Sequence, residues 1–405
     1  MISQILYFKT LYFLRIIFMI KLDISPDKFR NEFQSKKPFL VRNSFVPQIT
    51  DQQIDEVVLR ADIIQDDFKL NFEGKVLPKN KYVESFQDVG KIRHRFIKAA
   101  LVDYMRRGAT LIANKLYNEP LIYNYHKQIE EIANRPALSS LYISYGNEDD
   151  SSFRAHWDTR DVFVLQLVGR KKWILYEPNF EYPLPSQQSK DMEHVVKCPT
   201  TEPYMDVILE EGDLLYVPRG WWHDPVPCGE RTVHLSVGTY AIYRNDYLHW
   251  IIQNILPSYP EARMHLDSYN SIDDLTAYAN LIHEKLTDPE LLRNFHRIHA
   301  VEHYRTNDTL NLNSLCDPNI EEIPEEKSLY INLFHCVEDL EKDIIANGTF
   351  LKIESRPEMR KVLQCILDHK GISTDTLLKK IPNLDKKYIK NMLFKLACFD
   401  IIRFD

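Results

Sequence analysis

The pattern of apolar and polar positions changes character twice along this chain. Between Leu141 and about Tyr243, aromatic and β-branched residues come in short runs separated by turn residues: LYISYG, DVFVLQLV, KKWILYEP, DVILEEGDLLYVPRG and RTVHLSVGTYAIY. Short strands at this spacing, with no long helix between them, predict a sandwich or jelly-roll barrel. Before this region the pattern is mostly helical. Ser25-Pro26-Asp27 reads as an N-cap, a proline at the first helical position and an acidic first turn, with Phe29 and Phe33 on one face. PFLVRNSF (38–45) reads as a buried strand, Thr50 caps a helix carrying Ile54, Val57 and Val58, and residues 97–134 are helical or mixed.

After the β-rich region helical spacing returns in YLHWIIQNIL, DDLTAYANLIHEKL and PELLRNFHRIHAVEHY. A polar stretch with Asn and Pro follows, and the last fifty residues hold three helical patterns and a strand-like end, a spacing that suits a small winged helix. The expected division is therefore an N-terminal extension (1–18), a catalytic β-barrel domain (19–245), a helical region (246–303), a connecting segment (304–350) and a winged-helix-like unit (351–405). The fold class is mainly β with α, built on a double-stranded β-helix of the jelly-roll or cupin kind.

Composition narrows this further. At 405 residues the chain exceeds what one core usually serves, and 44% hydrophobic with 27% charged residues is ordinary for a globular protein. A net charge of −7 argues against a general nucleic-acid binder but leaves room for a basic protein substrate. Residues 355–405 are mildly basic, with eleven Lys/Arg against six Asp/Glu, which leaves contact with DNA open for this unit. Six scattered cysteines form no CxxC pair, so neither a zinc ribbon nor a disulfide framework is expected, and a reducing cytoplasm fits. Residues 1–20 are apolar but broken by Lys9 and Arg15, which argues against a spanning helix, and no membrane partner is expected.

The chemistry concentrates in the β-rich region. His156 and Asp158 lie two apart, and on a strand such positions face the same way. A His-x-Asp pair with one distant histidine is the two-His-one-carboxylate triad of non-haem Fe(II) oxygenases, which leaves three coordination positions for a chelating keto acid and O₂. By itself the pair is as compatible with a hydrogen-bonded surface contact. Its companion is GDLLYVPRGWWH, a strand and a tight turn that bring His223 to the barrel 65 positions after Asp158. His234, in RTVHLSVG, is the second candidate for the distal ligand and otherwise a core histidine beside the iron. GRKKW (169–173) then offers a cation for the far carboxylate of a keto diacid: Lys171, with Arg170 and Lys172 as alternates on the opposite face. The acidic loop NEDDSS places Glu148, Asp149 and Asp150 where they could receive an Arg or Lys side chain of a substrate.

HWDTRDVFVLQLVGRKKWILYEP followed by GDLLYVPRGWWHDP closely resembles the JmjC-type cupins of the ribosomal-oxygenase group, and GATLIANKL (108–116) is similar to that group's pattern. The resemblance implies Fe(II) on His156, Asp158 and His223, with 2-oxoglutarate as cosubstrate on Lys171. It places the group's polar residue near the cosubstrate at His234, where relatives have Asn, and Ser236 on the same strand could share that role. It further implies hydroxylation of an Arg or His side chain of a ribosomal protein, and a homodimer built on the helical region. The same chemistry on another protein, a tRNA or a small molecule is the first alternative. A cupin that binds metal or ligand without turnover is the second, and the keto-acid anchor speaks against it.

Overall fold

The computed structural model describes residues 20–116, 119–146, 154–266, 272–303, 310–331 and 344–404. The extension expected over 1–18 lies outside them. The chain divides into two compact units, Met1–Ala241 and Ile242–Asp405.

The first unit is built on two sheets. The eight-stranded sheet has the order β1-β12-β9-β14-β7-β6-β2-β3, where β1 is Phe39–Val41, β2 Phe68–Phe72, β3 Lys75–Val76, β6 Thr110–Ala113, β7 Ala137–Ser144, β9 Asp161–Val168, β12 Leu214–Val217 and β14 Thr232–Thr239. The four-stranded sheet has the order β11-β10-β13-β8, from Met205–Leu209, Lys171–Tyr176, Trp222–Pro227 and His156–Trp157. Every ladder in both sheets is antiparallel. A separate hairpin pairs β4 (Val83–Asp88) with β5 (Lys91–Phe96).

Strand periodicity explains how one sheet serves two cores. On β9 and β12, Phe163, Leu165, Leu214 and Tyr216 point to one core, while Val164, Leu215 and Val217 point to another with Trp173, Leu175 and Leu209 of the smaller sheet. Because both faces are covered, these strands read as continuous apolar runs with no polar face. The larger core also takes Phe29, Ile54, Val57, Ile122, Ile129 and Ile132 from three flanking helices, Pro26–Glu32, Asp51–Arg60 and Pro120–Ala133. The first two start as read: Ser25 caps the amide of Lys28, and Thr50 forms a reciprocal capping box with Gln53. Burying about ten such side chains at roughly 1.5–3 kcal/mol each is the main favourable contribution to this unit.

Four local expectations differ. PFLVRNSF contributes a strand of only three residues, Phe39–Val41. The mixed region after 97 resolves into a helix, Lys98–Arg106, and then the fully buried strand β6. DVILEEGDLLYVPRG is two strands, β11 and β12, separated by a turn at Gly212. GWWHDPVP adds β13, where the motif predicts a turn with a histidine.

In the second unit, Tyr247, Ile251, Leu256 and Phe295 form a small core among the helices Arg244–Trp250, Ile272–Leu286 and Pro289–His303. A separate core gathers Leu363, Leu377, Ile389 and Leu393 from the helices Pro357–Asp368, Thr374–Lys380 and Lys386–Cys398. Residues 304–350 are more than a connection: β15 (Ser328–Ile331) is the central strand of a three-stranded sheet, between β18 (Ile372–Ser373) and β19 (Ile402–Phe404). A further hairpin pairs β16 (Ile344–Ala346) with β17 (Thr349–Leu351). No helix among the described residues is long and apolar enough to cross a membrane.

Candidate metal centre

The chamber lies where the polar half of the large sheet meets the small one. β7 and β14 send Leu141, Ile143, Val233, Leu235 and Val237 into the large core. Their alternate residues Tyr142, His234 and Ser236 therefore point the other way, and the register pairs His234 with Tyr142 and Ser236 with Ser140. From the small sheet, β10 contributes Lys171 and Trp173, and β13 contributes Pro225 and His223. His156 on β8 pairs directly with His223, and Asp158 follows β8.

His156, Asp158 and His223 offer ligand atoms that all lie within 4.8 Å of one another, with His223 Nε2 3.6 Å from Asp158 Oδ2. The backbone fixes the imidazoles for this task. His156 Nδ1 lies 2.8 Å from the Arg154 carbonyl and His223 Nδ1 3.1 Å from the Trp221 carbonyl. A carbonyl can only accept, so each Nδ1 donates its proton and each Nε2 keeps its lone pair for a metal. Burial, then the neighbouring His156, push His223 down to about 4, so it is neutral and able to ligate at ordinary pH. Two imidazoles and one carboxylate with an open side suit Fe(II). His234 is not in this group. It stacks on Tyr142 at 4.8 Å with rings 9° from parallel, and meets Trp173 edge-on at 5.7 Å.

Two glycine turns hold the centre. Gly220 has φ +83°, and its amide donates to the Asp158 carbonyl at 2.9 Å, so the Pro-Arg-Gly turn pins the backbone of a ligand. A Cβ there would lie 2.8 Å from Pro183. At Gly169 (φ +63°), in the turn that delivers Lys171, a Cβ would lie 2.0 Å from the Arg231 carbonyl oxygen. No other residue fits that approach.

Lys171 is 2% exposed, and no carboxylate lies within ion-pair distance of it among the described residues. Burial holds its amine down to about 8. A buried ammonium without a counter-ion is costly, and the site is matched to a ligand that carries a carboxylate. Arg170 and Lys172 face outward, where they pair with Glu230 and Asp206. The Trp173 indole N–H, on the chamber wall, has no hydrogen-bond partner among the described residues. The chamber measures about 60 Å³, several times the minimum for one water, and shares Tyr142, His156, Asp158, Val162 and Ser236 with an outer cleft of about 910 Å³.

The structure thus brings His156, Asp158, His223, Lys171, His234 and Ser236 around one chamber. Glu148, Asp149 and Asp150 lie outside the described residues. Tyr142 was not singled out from sequence, although LYISYG was; its phenol is pushed up by burial and by the Asp158 carboxylate. Alternation sets Tyr142 opposite Leu141 and Ile143, but the pairing with β14 decides which face meets the chamber.

A profile of the JmjC domain matches residues 115–247. Over 92 residues the chain is 44% identical to a Dictyostelium discoideum protein named bifunctional lysine-specific demethylase and histidyl-hydroxylase NO66, covering 22% of this chain and 17% of that one. Over 185 residues it is 29% identical to ribosomal oxygenase 1 of Rattus norvegicus, covering 43% and 30%. A Culex quinquefasciatus NO66 matches at 26% over 273 residues, covering 65% of this chain, so the chain spans at most 40% of the length of these relatives. Among solved structures, the Escherichia coli ribosomal oxygenase YcfD superposes with a TM-score of 0.57 at 16% identity, covering 96% of this chain and all of that one. The same protein in complex with cobalt and 2-oxoglutarate superposes at 0.55.

Proposed function

From the premise that the chain carries a JmjC domain, we propose that it is an Fe(II)- and 2-oxoglutarate-dependent oxygenase that hydroxylates an Arg or His side chain of a ribosomal protein. The observation that carries this reading is the convergence of His156, Asp158 and His223 beside a buried lysine that has no carboxylate within ion-pair distance among the described residues. The names of the relatives and the complex of YcfD with cobalt and 2-oxoglutarate support it.

Bound at the three ligands, iron with 2-oxoglutarate and O₂ supplies oxidative decarboxylation of the keto acid coupled to insertion of oxygen into a C–H bond. The chain's own residues prepare the site. Arg154 and Trp221 hold the two imidazoles through their carbonyls, so that each Nε2 would be the atom to meet the ion. Lys171 would hold the distal carboxylate of the cosubstrate, with Ser236 and His234 as polar neighbours. Val164, Val217 and Trp173 exclude water and so strengthen that charge pairing. Glu148, Asp149 and Asp150 would receive a cationic target side chain.

The remaining parts fit the same reading. The helical region exposes Ile252 (43%), Leu275 (47%) and Leu292 (41%), while Ile251 and Leu256 are held in its own small core. We read it as the dimerisation element, the last unit as a winged helix, and the cytoplasm as the location. Light scattering at micromolar concentration should give twice the chain mass; a monomer mass rejects the dimer. The function is tested by incubating the purified chain, Fe(II) and 2-oxoglutarate with ribosomes of the same organism. Mass spectrometry should find one added oxygen on an Arg or His of a ribosomal protein. Decarboxylation of 2-oxoglutarate with no such product would move the reading to another substrate.

A further inference from the structure

The cleft outside the chamber carries more positive than negative charge. Its walls include Lys69, Lys75, Lys115, Arg154, Arg160 and Lys190, drawn from β2, β3, the segment after β6, the segments flanking β8 and the helix Ser189–Met192. Against them, the carboxylates on the described wall are Asp67, Glu193 and the metal ligand Asp158. Asp67 is already paired with Lys115 at 2.8 Å. Arg160 stacks its guanidinium 4.3 Å over the Tyr240 ring and has no carboxylate within ion-pair distance among the described residues. Lys69, Lys75, Arg154 and Lys190 likewise have none among the described residues. The chain as a whole is acidic, at −7, so this concentration of cations is local to the mouth of the site.

A free basic protein would meet repulsion at this wall. Phosphates would be attracted to it, and the cations share the cleft wall with His156 and Asp158. We propose that the cleft binds the phosphate backbone of RNA, so that the enzyme takes its protein substrate in an RNA-bound state and not as a free chain. The inference rests on the ribosomal-protein reading above and adds to it the state in which the substrate is presented. The isolated lysines act as point charges on phosphate oxygens, and Arg154 and Arg160 offer forked donors to the same groups. Affinity of this kind comes from counter-ion release and must weaken with salt.

The test uses the full chain loaded with Mn(II), and a fluorescein-labelled single-stranded RNA read by anisotropy. With about four or five phosphates engaged, at about 0.7 per contact, log Kd should rise with log salt with a slope of about 3. The variant Lys75→Glu/Arg154→Glu/Lys190→Glu should weaken RNA binding at least tenfold, with its thermal unfolding midpoint and Mn(II) binding checked to confirm the fold. Lys386→Glu/Lys387→Glu, in the basic last unit, should leave RNA binding within twofold. RNA that fails to bind, or that binds the cleft variant as well as the parent chain, overturns the proposal. Polyglutamate that displaces RNA at equal charge concentration also overturns it, in favour of an acidic peptide. A second arm compares intact ribosomal subunits with the same proteins stripped of RNA. Greater oxygen incorporation into the intact subunits is expected, and equal or greater incorporation into the stripped proteins rejects the RNA-bound state. Wild-type turnover of 2-oxoglutarate, measured alongside, separates the two levels. Turnover without RNA binding sinks this inference alone, and absence of turnover sinks the oxygenase reading itself.

Discussion

The barrel chamber and the core of the last unit are both buried, and they are composed in opposite ways. Around the chamber the fold encloses Lys171, His223 and His234, each at most 4% exposed. In the second unit the core is Leu363, Leu377, Ile389, Leu393 and their apolar neighbours, and among the described residues Thr374 is the only buried polar one beyond Ala241. An apolar core stabilises a fold without requiring anything else. A buried charge does the reverse until a ligand supplies its partner, so a chamber that keeps one is organised for binding at the expense of stability. The difference assigns chemistry to the first region and packing to the second, and substitutions in each should separate along that line.

The largest expected effect is on the metal. Asp158→Ala and His223→Ala should each abolish iron binding and 2-oxoglutarate turnover, because the remaining two ligands leave the ion without its anchoring face. His234→Ala should retain iron and part of the activity, since its ring stacks on Tyr142 outside the ligand group. Iron titration followed by turnover of 2-oxoglutarate checks all three. Loss of iron from His234→Ala with normal iron in His223→Ala would reverse the assignment.

Lys171 comes next. Removing one partner of a buried charge pair typically costs about 3–5 kcal/mol, which is roughly a hundred- to several-thousand-fold in 2-oxoglutarate affinity. Lys171→Ala should show that loss by calorimetric titration with Mn(II) in place of iron, and Lys171→Arg should recover part of it. Lys172→Ala, whose amine sits outside against Asp206, should lose less than tenfold. The pH dependence has a definite sign. Burial lowers the Lys171 amine to about 8 in the empty site, below the ordinary 10.5, so between those values the empty folded protein is the neutral form. A dianionic ligand needs the ammonium, and binding must take up a proton there. Affinity should be flat below pH 8 and fall by about tenfold per unit above it, a dependence absent from Lys171→Ala.

These positions differ in how far sequence could reach them. His156, Asp158 and Lys171 follow from local spacing, since a strand's period of two decides which side chains share a face. His223 follows from a turn motif, although it sits within a strand. Tyr142 required knowing which face of β7 looks into the chamber, and that is decided by pairing with β14 some ninety residues later. β6 is a buried four-residue run, Thr-Leu-Ile-Ala, too short for periodicity alone to assign to strand or helix. β15 lies in a polar stretch, and its partners are at 372–373 and 402–404. Such non-local pairing leaves no mark in the window around Ser328.

In the apolar core, truncation should act on stability alone. Leu393 is fully buried, and Leu393→Ala should destabilise the last unit by about 2–5 kcal/mol through lost burial and a residual cavity. Denaturant unfolding followed by hydrogen exchange on Pro357–Cys398 should report this, while 2-oxoglutarate affinity stays within twofold. A tenfold change in that affinity would show that the packing core is coupled to the chamber, and the contrast drawn above would fail.

The smallest effect belongs to Lys390, the charged counterpart of Lys171 in the second unit. Its Nζ sits 2.9 Å from Glu322 and 2.8 Å from Glu325, and both carboxylates remain substantially exposed. Water already screens such pairs, so the network should contribute at most about 1 kcal/mol. Lys390→Ala leaves Glu322 and Glu325 without their shared cation, and two uncompensated carboxylates repel. It should therefore be more destabilising than Glu322→Gln, which leaves Lys390 and Glu325 paired. Combining Lys390→Ala with Glu322→Gln should recover part of the loss, because the repulsion goes with the second charge. All three differences should shrink in high salt, where exposed charges more than a few ångströms apart are screened. Lys171 should respond to salt in the other sense only weakly, its partner being a ligand inside a closed chamber. Equal salt sensitivity of Lys390→Ala stability and of 2-oxoglutarate binding by the parent chain would mean that Lys171 meets its ligand in water, and that the chamber is open where its burial says it is closed.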